Sequence, residues 1–145
     1  MEETEFITES SEETKKLGEK LSKDFKLGDV ISLSGDLGSG KTTFVQGLAR
    51  GYHIENRIIS PTFILIRKHA GKILNKSMTL YHIDLYRIED PAQIKDVGLA
   101  ELFQDKEGIF VIEWAKRHPD LNPDRELKFE VLDGNNRAIT VIKNE

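Results

Sequence analysis

The sequence contains no cysteine, which excludes disulfides, thiol nucleophiles and cysteine metal sites. It also lacks any apolar run that approaches the roughly 20 residues of a membrane-spanning helix. Its acidic start, Met1 to Glu3, has neither the basic nor the apolar region of a secretory signal peptide. We therefore expect a cytoplasmic location and no membrane partner.

The sequence also lacks an excess of positive charge, since 21 Lys and Arg stand against 25 Asp and Glu, for a net charge of -4. A chain of this charge does not hold nucleic acid through its overall electrostatic field, so we expect no DNA partner. A local basic patch remains possible, and direct contact with RNA stays open. The length of 145 residues suits a single domain, 1–145, with a small core.

A glycine-rich segment is the most informative feature that is present. It matches G-x-x-x-x-G-K-[ST], the pattern of a loop that wraps nucleotide phosphates, and predicts binding of ATP or GTP. Glycines allow backbone angles through which consecutive N–H groups converge on phosphate oxygens, the lysine reaches the β- and γ-phosphates, and the first threonine suits Mg²⁺. The predicted nucleotide-binding residues of this segment are Gly35, Asp36, Leu37, Gly38, Ser39, Gly40, Lys41, Thr42 and Thr43.

The flanking sequence has the order that such a loop requires. Val30 to Ser34 predicts a short buried strand, and Lys41 to Arg50 carries apolar residues at helical spacing before Gly51. Leu127 to Leu132 and Ala138 to Ile142 predict a late hairpin. These patterns indicate a compact α/β P-loop NTPase with a central, mostly parallel sheet, helices on its faces, and antiparallel strands added near the C-terminus.

Other segments complete the predicted elements. Ser10 and Glu13 form a capping-box pattern that starts a helix over about Ser11 to Asp24. A hairpin turn is expected near Ala70-Gly71, followed by a strand over Thr79 to Tyr86. A short helix is expected to start at Asp90-Pro91.

Two acidic residues are candidates for chemistry. Glu113 directly follows a hydrophobic strand, where many nucleotide hydrolases place the carboxylate that holds Mg²⁺; the alternative is a surface ion pair. Asp84 interrupts an apolar run, and an acid in such a run generally requires a partner. It fits a role in magnesium binding or water orientation about as well as a buried pair with Arg87 or another basic residue.

Four segments, in this order and spacing, resemble the TsaE family, the bacterial ATPases of tRNA threonylcarbamoyladenosine biosynthesis. They are Gly35 to Thr43, Ser60 to Phe63, His82 to Arg87, and Ile112 to Trp114. The resemblance covers the chain from about Phe6 to Trp114. It implies a small Mg²⁺-dependent ATPase that supports a partner complex, which itself transfers threonylcarbamoyl to the adenosine next to the tRNA anticodon.

The resemblance also implies roles for individual residues. Lys41, Asp84 and Glu113 would be catalytic, with Asp84 acting at the γ-phosphate or on water. Thr42 and Glu113 would hold Mg²⁺. Ser11 would lie near the base or ribose of the nucleotide, although the pattern of residues by itself indicates only a helix cap.

The resemblance makes Ser60, Pro61 and Thr62 a switch-like segment. Two further residues are candidates for the nucleotide pocket or a partner contact, namely Arg87 and Trp114. For Trp114, packing is the alternative, and for Arg87 it is an ion pair.

Two other functions remain open. A small-molecule kinase also combines a phosphate loop with an α/β fold, but residues 86–125 offer only Arg87, Arg117 and Arg125 for an arginine-rich lid. A nucleotide-sensing module without useful turnover is the second alternative, because a partner often completes a hydrolytic site.

Overall fold

The structure is a computed structural model that describes residues 2–36, 38–55, 66–86, 90, 92, 98–118 and 120–144. Its elements, in chain order, are β1 (Glu2–Thr8), α1 (Ser11–Leu21), β2 (Val30–Ser34), α2 (Lys41–Gly51), β3 (Ile66–Ile73), β4 (Lys76–Asp84), α3 (Leu99–Leu102), β5 (Gly108–Glu113), a 3₁₀ turn (Ala115–Arg117), β6 (Arg125–Val131) and β7 (Arg137–Lys143). No helix in these ranges is long and apolar enough to cross a membrane.

The strands form one seven-stranded sheet in the order β1-β7-β6-β2-β5-β4-β3. The four central strands, β6, β2, β5 and β4, run parallel to one another, while β7 and β1 on one side and β3 on the other pair antiparallel. The predicted α/β fold with C-terminal antiparallel strands is confirmed. The sequence did not predict β1, which pairs with β7 and forms one edge of the sheet.

Two apolar clusters cover the two faces of the sheet. On one face, Leu17 of α1 and Phe44 and Leu48 of α2 pack with Ile31 and Val111. On the other face, Leu99 of α3 packs with Phe110 and Ile112 of β5. Every residue of β5 is buried, as expected of a central parallel strand covered on both sides. The strand therefore holds its last residue, Glu113, rigidly at the edge of the core.

Helix α1 begins where the sequence predicts but ends earlier. The capping pattern forms, with the Glu13 backbone N–H donating to Ser10 Oγ at 3.1 Å. Helix α1 stops at Leu21 rather than at Asp24. The Ser22 hydroxyl donates to the Glu19 carbonyl there, and a serine bonded to nearby backbone competes with helix continuation.

The hairpin turn predicted near Ala70-Gly71 was misplaced. Strand β3 continues through both residues, and the turn falls at Leu74 and Asn75, which have φ of 49° and 65°. Glycine at position 71 instead permits a close approach, because a Cβ there would lie 2.6 Å from the Tyr52 carbonyl oxygen. The helix expected from Asp90-Pro91 lies outside the described residues, apart from residues 90 and 92.

Candidate functional site

A cavity of about 610 Å³ opens at the carboxyl ends of β2, β4 and β5, beside the first turn of α2. In open parallel sheets, this end is where ligands bind. Its lining residues come from five separate stretches of the chain: Ser10, Ser11, Thr14, Gly38, Gly40, Lys41, Thr42, Thr43, Asp84, Tyr86, Glu113, Trp114, Asn135 and Arg137.

The glycine-rich loop forms the floor of the cavity. Gly38 and Gly40 have φ of 80° and 103°, a left-handed backbone that side chains disfavour. A Cβ at Gly38 would meet no atom within 4 Å, so the loop faces open space at this point. Gly40 is the N-cap of α2 and offers no side-chain cap, which leaves the first turn of the helix suited to an anion.

Lys41 is held between the loop and the end of β5. Its Nζ donates to the Gly35 carbonyl oxygen at 2.8 Å and lies 3.6 Å from Glu113 Oε1. The side chain is only 12% exposed, yet it lines the cavity. The ammonium group is thus fixed where an anion above the loop would meet it.

Glu113 is a buried carboxylate with one partner on each oxygen. Oε2 accepts a hydrogen bond from His82 Nε2 at 2.7 Å, and Oε1 faces Lys41. Burial alone raises the pKa of Glu113, but the hydrogen bond and charge of His82, together with Lys41, outweigh burial and hold that pKa below its ordinary value. Glu113 is therefore ionised at neutral pH.

Asp84 ends β4 directly beside Glu113, its register partner in the parallel pair. Its Oδ1 accepts a hydrogen bond from the Tyr86 backbone N–H at 2.9 Å. Burial raises the pKa of Asp84, and the neighbouring Glu113 adds to this, while the Tyr86 N–H, His82 and Lys41 act in the opposite direction. The two carboxylates at adjacent strand ends thus differ: the pKa of Glu113 is lowered, whereas the pKa of Asp84 is raised.

The oxygen groups in the cavity fit a magnesium ion. Mg²⁺ usually takes one or two protein oxygens and completes its shell with substrate phosphates and water. An ionised Glu113 and the hydroxyl of Thr42 offer that set next to the loop. Within the described ranges, no group of three or more His, Cys, Asp or Glu side chains is arranged to hold a metal.

Trp114 lies at the mouth of the cavity rather than in the core. It is 43% exposed and adopts a left-handed φ of 62°, which turns the chain sharply after β5. Its ring lies 6.0 Å from Lys41 Nζ and packs edge-on against Tyr86, with 4.9 Å between the ring centres. An aromatic pair therefore borders the site on its open side.

Ser11 reaches the cavity because α1 packs closely on α2. A Cβ at Gly18 would lie 2.3 Å from the Phe44 carbonyl oxygen, and one at Gly47 would lie 2.1 Å from that of Lys15. Only glycines permit this approach, which carries Ser11 and Thr14 to the wall of the cavity.

Sequence reasoning missed Asn135 and Arg137, which enter the cavity from the β6–β7 hairpin. Arg137 Nη2 donates to the Gly38 carbonyl oxygen at 3.2 Å, and Nη1 donates to those of Gly134 and Asn136 at 3.1 and 3.0 Å. The turn residues themselves predicted a hairpin. Its place beside the loop depends on the parallel pairing of β6 with β2, which no local pattern indicates.

The remaining predicted site residues are distributed as follows. Asp36 is exposed and Ser39 is buried, and neither lines the cavity. Five others lie outside the described residues, namely Leu37, Ser60, Pro61, Thr62 and Arg87.

Comparison with known families gives one consistent result. The sequence model of the family described as threonylcarbamoyl adenosine biosynthesis protein TsaE matches residues 8–139. A protein named tRNA threonylcarbamoyladenosine biosynthesis protein TsaE from Aquifex aeolicus is 38% identical over 144 residues, which cover 96% of this chain and 96% of the relative. Its namesake from Rickettsia felis is 38% identical, covering 96% and 80%.

A solved structure agrees with the sequence relatives. The crystal structure of Bacillus subtilis YdiB superposes with a TM-score of 0.77 at 30% identity, covering 98% of this chain and 86% of that one. A Bacillus subtilis protein that carries the TsaE name is 37% identical, over 90% of this chain and 78% of its own length.

Proposed function

Since the chain belongs to the TsaE family of threonylcarbamoyl adenosine biosynthesis proteins, we propose that it is a Mg²⁺-dependent ATPase required for threonylcarbamoyladenosine formation in tRNA. The observation that carries the proposal is the convergence of Lys41, Glu113 and the first turn of α2 on one cavity. Cation, ionised carboxylate and helix N-terminus together suit a nucleotide triphosphate with its metal.

Binding in this proposal rests on the loop and its lysine. The backbone of Gly38 to Lys41 surrounds the phosphates, and the Lys41 ammonium meets the β- and γ-phosphates. Ser11, on the opposite wall, lies near the base or ribose. Lys41 already has a carbonyl and a carboxylate as partners, so its position is set before nucleotide enters.

Magnesium would be held by Thr42 and Glu113, and it would offset the charge of the phosphate oxygens. Glu113 suits this role because its environment keeps it ionised despite burial. Asp84, next to it, lies at the γ-phosphate side in this proposal.

Hydrolysis needs a water aligned with the bond between the γ-phosphorus and the bridging oxygen. As water adds to phosphorus, that bond breaks and ADP leaves with the electron pair, while the water gives up a proton. Asp84 is the proposed group that orients the water, since Tyr86 N–H occupies only its Oδ1. The raised pKa of Asp84 fits a carboxylate that accepts a proton.

Transfer of the threonylcarbamoyl group belongs to partner proteins in this proposal, and the chain serves them in the cytoplasm as a single P-loop ATPase domain, 1–145. The exposed Trp114 at the cavity mouth is the described residue best placed to contact a partner that senses the nucleotide. Ser60, Pro61, Thr62 and Arg87 remain predicted members of the same surface.

Two measurements test the proposal. Phosphate release by the pure protein is expected to be slow and to rise when the threonylcarbamoyl-transferring proteins are added. A parallel screen of small phosphate acceptors detects kinase activity, and a phosphorylated acceptor would replace the proposal. Nucleotide binding without any release, alone or with partners, would establish the sensing module instead.

The role in tRNA is tested in cells that carry only the Lys41→Ala protein. Mass spectrometry of tRNA nucleosides is expected to show depleted threonylcarbamoyladenosine. The matched control is Lys23→Ala, which removes the same charge from an exposed residue that does not line the cavity. Normal levels of the modification with Lys41→Ala would reject the tRNA role.

A further inference from the structure

The buried contact between His82 and Glu113 has so far been described only for its effect on the pKa of Glu113. His82 is fully buried, and its Nε2 lies 2.7 Å from Glu113 Oε2. We infer that His82 is a positioning residue for the magnesium ligand: it holds Oε2 of Glu113, so that Oε1 stays turned toward Lys41 and the metal. This inference rests on the proposed function, because it assigns a task at the same site.

Sheet register places the histidine where this task is possible. On β4, Leu80, His82 and Asp84 point to the face of the sheet that carries α1 and α2, and on β5 Val111 and Glu113 point the same way. His82 pairs with Val111, so it stands diagonal to Glu113, within reach of a long side chain. The loop follows β2, which pairs with β5 on the side opposite β4, so it reaches Glu113 from the other side.

The hydrogen bond restricts a side chain that otherwise has several rotamers. An ionised carboxylate offers only acceptors, so His82 Nε2–H is the donor. Bonds of this charge-assisted kind are about twice as strong as neutral ones. Rotation of Glu113 would break the bond and leave a buried donor and a buried charge unpaired, which fixes Oε1 at 3.6 Å from Lys41 Nζ.

His69 provides a matched comparison. It is also buried, at 5% exposure, and it pairs with Leu80, on the same face of the sheet as His82. Neither of its ring nitrogens has a hydrogen-bond partner within the described part of the chain, whereas the Glu113 carboxylate is paired with His82 and Lys41. Loss of His69 therefore reports what the removal of a buried histidine does when no hydrogen bond to the carboxylate is removed.

The experiment compares His82→Asn, His82→Gln and His69→Asn in the full chain. The amide nitrogen of Gln reaches about as far as His Nε2 and can donate to Glu113, whereas that of Asn ends near the position of Nδ1 and falls short. Each variant is titrated with a fluorescent ATP analogue with and without Mg²⁺. The measured quantity is the ratio of the two affinities within one protein, so a uniform change in nucleotide binding cancels.

The affinity with Mg²⁺ divided by the affinity without it is expected to fall about 10- to 100-fold in His82→Asn. This is the usual effect of removing a partner that orients a metal ligand. His82→Gln is expected to recover most of the ratio, and His69→Asn to keep it. In a Glu113→Gln background, His82→Asn is expected to have no further effect, because both changes remove the same contribution.

The experiment distinguishes a failure of the proposed magnesium site from a failure of the positioning role of His82. A wild-type protein that shows no gain in affinity from Mg²⁺ would reject the magnesium site itself. A wild-type gain that persists in His82→Asn, or falls equally in His69→Asn, would overturn the positioning role alone. If His82→Asn does not fold in thermal melts, His82→Leu replaces it, since leucine fills the buried space and cannot donate.

Discussion

The two walls of the cavity differ in how the chain builds them. One wall is formed by Gly38 and by Gly40 to Thr43, which belong to one contiguous motif whose spacing is visible in the sequence. The other is assembled from Asp84, Glu113 and Arg137, which end or begin three different strands. The comparison shows that a short motif determines the phosphate-facing wall, whereas only sheet order brings the facing residues together.

The walls also depend on different interactions. The loop relies on left-handed backbone at Gly38 and Gly40 and on the amide groups of a helix terminus. The assembled wall relies on buried side-chain charges, with Glu113 held between His82 and Lys41. Loss of a direct phosphate contact in the first wall should therefore weaken nucleotide binding with or without Mg²⁺. Loss of a buried carboxylate in the second should act on metal dependence, turnover and stability.

The largest effect is expected for Lys41→Ala, which should abolish turnover and weaken nucleotide binding with or without Mg²⁺. Thr42→Ala should also abolish turnover but retain more metal-free affinity, because the hydroxyl acts largely through the metal. Titration with a fluorescent ATP analogue, in Mg²⁺ and in a chelator, separates the two. Equal behaviour of both variants in both conditions would contradict the assigned roles.

Within the assembled wall, Glu113→Ala is expected to reduce the Mg²⁺ dependence of nucleotide binding more than Asp84→Ala does. Asp84→Ala should chiefly slow hydrolysis, by roughly 10²- to 10⁴-fold, the usual contribution of a group that handles the proton. Binding titrations and single-turnover phosphate release measure the two effects separately. A larger loss of metal dependence in Asp84→Ala would exchange the two roles.

A smaller effect is expected for Arg137→Ala, in which the hairpin loses its hydrogen bond to the Gly38 carbonyl. One such bond to a charged group contributes about 1.5–3 kcal/mol at most, and this one is exposed, so we expect a loss of nucleotide affinity of about 3- to 10-fold. Arg137→Lys serves as the control for charge. Unchanged affinity in Arg137→Ala would show that the hairpin only borders the cavity.

Much of the fold was predictable because patterns within single segments determine where its strands and helices form. The strand over Val30 to Ser34 is confirmed residue for residue, and the helix after the loop is confirmed but for one residue, since Gly51 is included. Glu113 was predicted as a site residue from its place after an apolar strand, and it lines the cavity. These features depend on periodicity, glycine spacing and caps, which act within one segment.

What the sequence did not predict depends on contacts between segments. Strand β1 exists because β7 pairs with it, and Arg137 reaches Gly38 because β6 lies next to β2. Gly71 was predicted to lie in a turn. In the structure, its lack of a side chain instead allows the Tyr52 carbonyl to approach the strand closely. The sequence placed His82 in an apolar strand but gave no sign of its contact with Glu113, because Glu113 lies 31 positions away.

The smallest effect concerns the stability of the free protein and sharpens the contrast between the two carboxylates. Burial raises the pKa of Asp84 above its ordinary value, so folding favours the protonated form. Its contribution to stability is therefore fully present below the ordinary value of 3.8 and is lost as pH rises through the raised pKa.

At pH 7 the ionised Asp84 should thus destabilise the fold, and Asp84→Asn should raise the free energy of unfolding. Because Asp84 is only half-buried, solvent screening limits this gain to below about 1 kcal/mol. The carboxamide oxygen can still accept from Tyr86 N–H. Urea unfolding at pH 7.5 and 4.5 should show the difference shrinking at the lower pH. A loss of stability at pH 7.5 would instead mean that Asp84 holds a cationic partner such as Arg87, since removing one member of a buried pair leaves the other charge uncompensated.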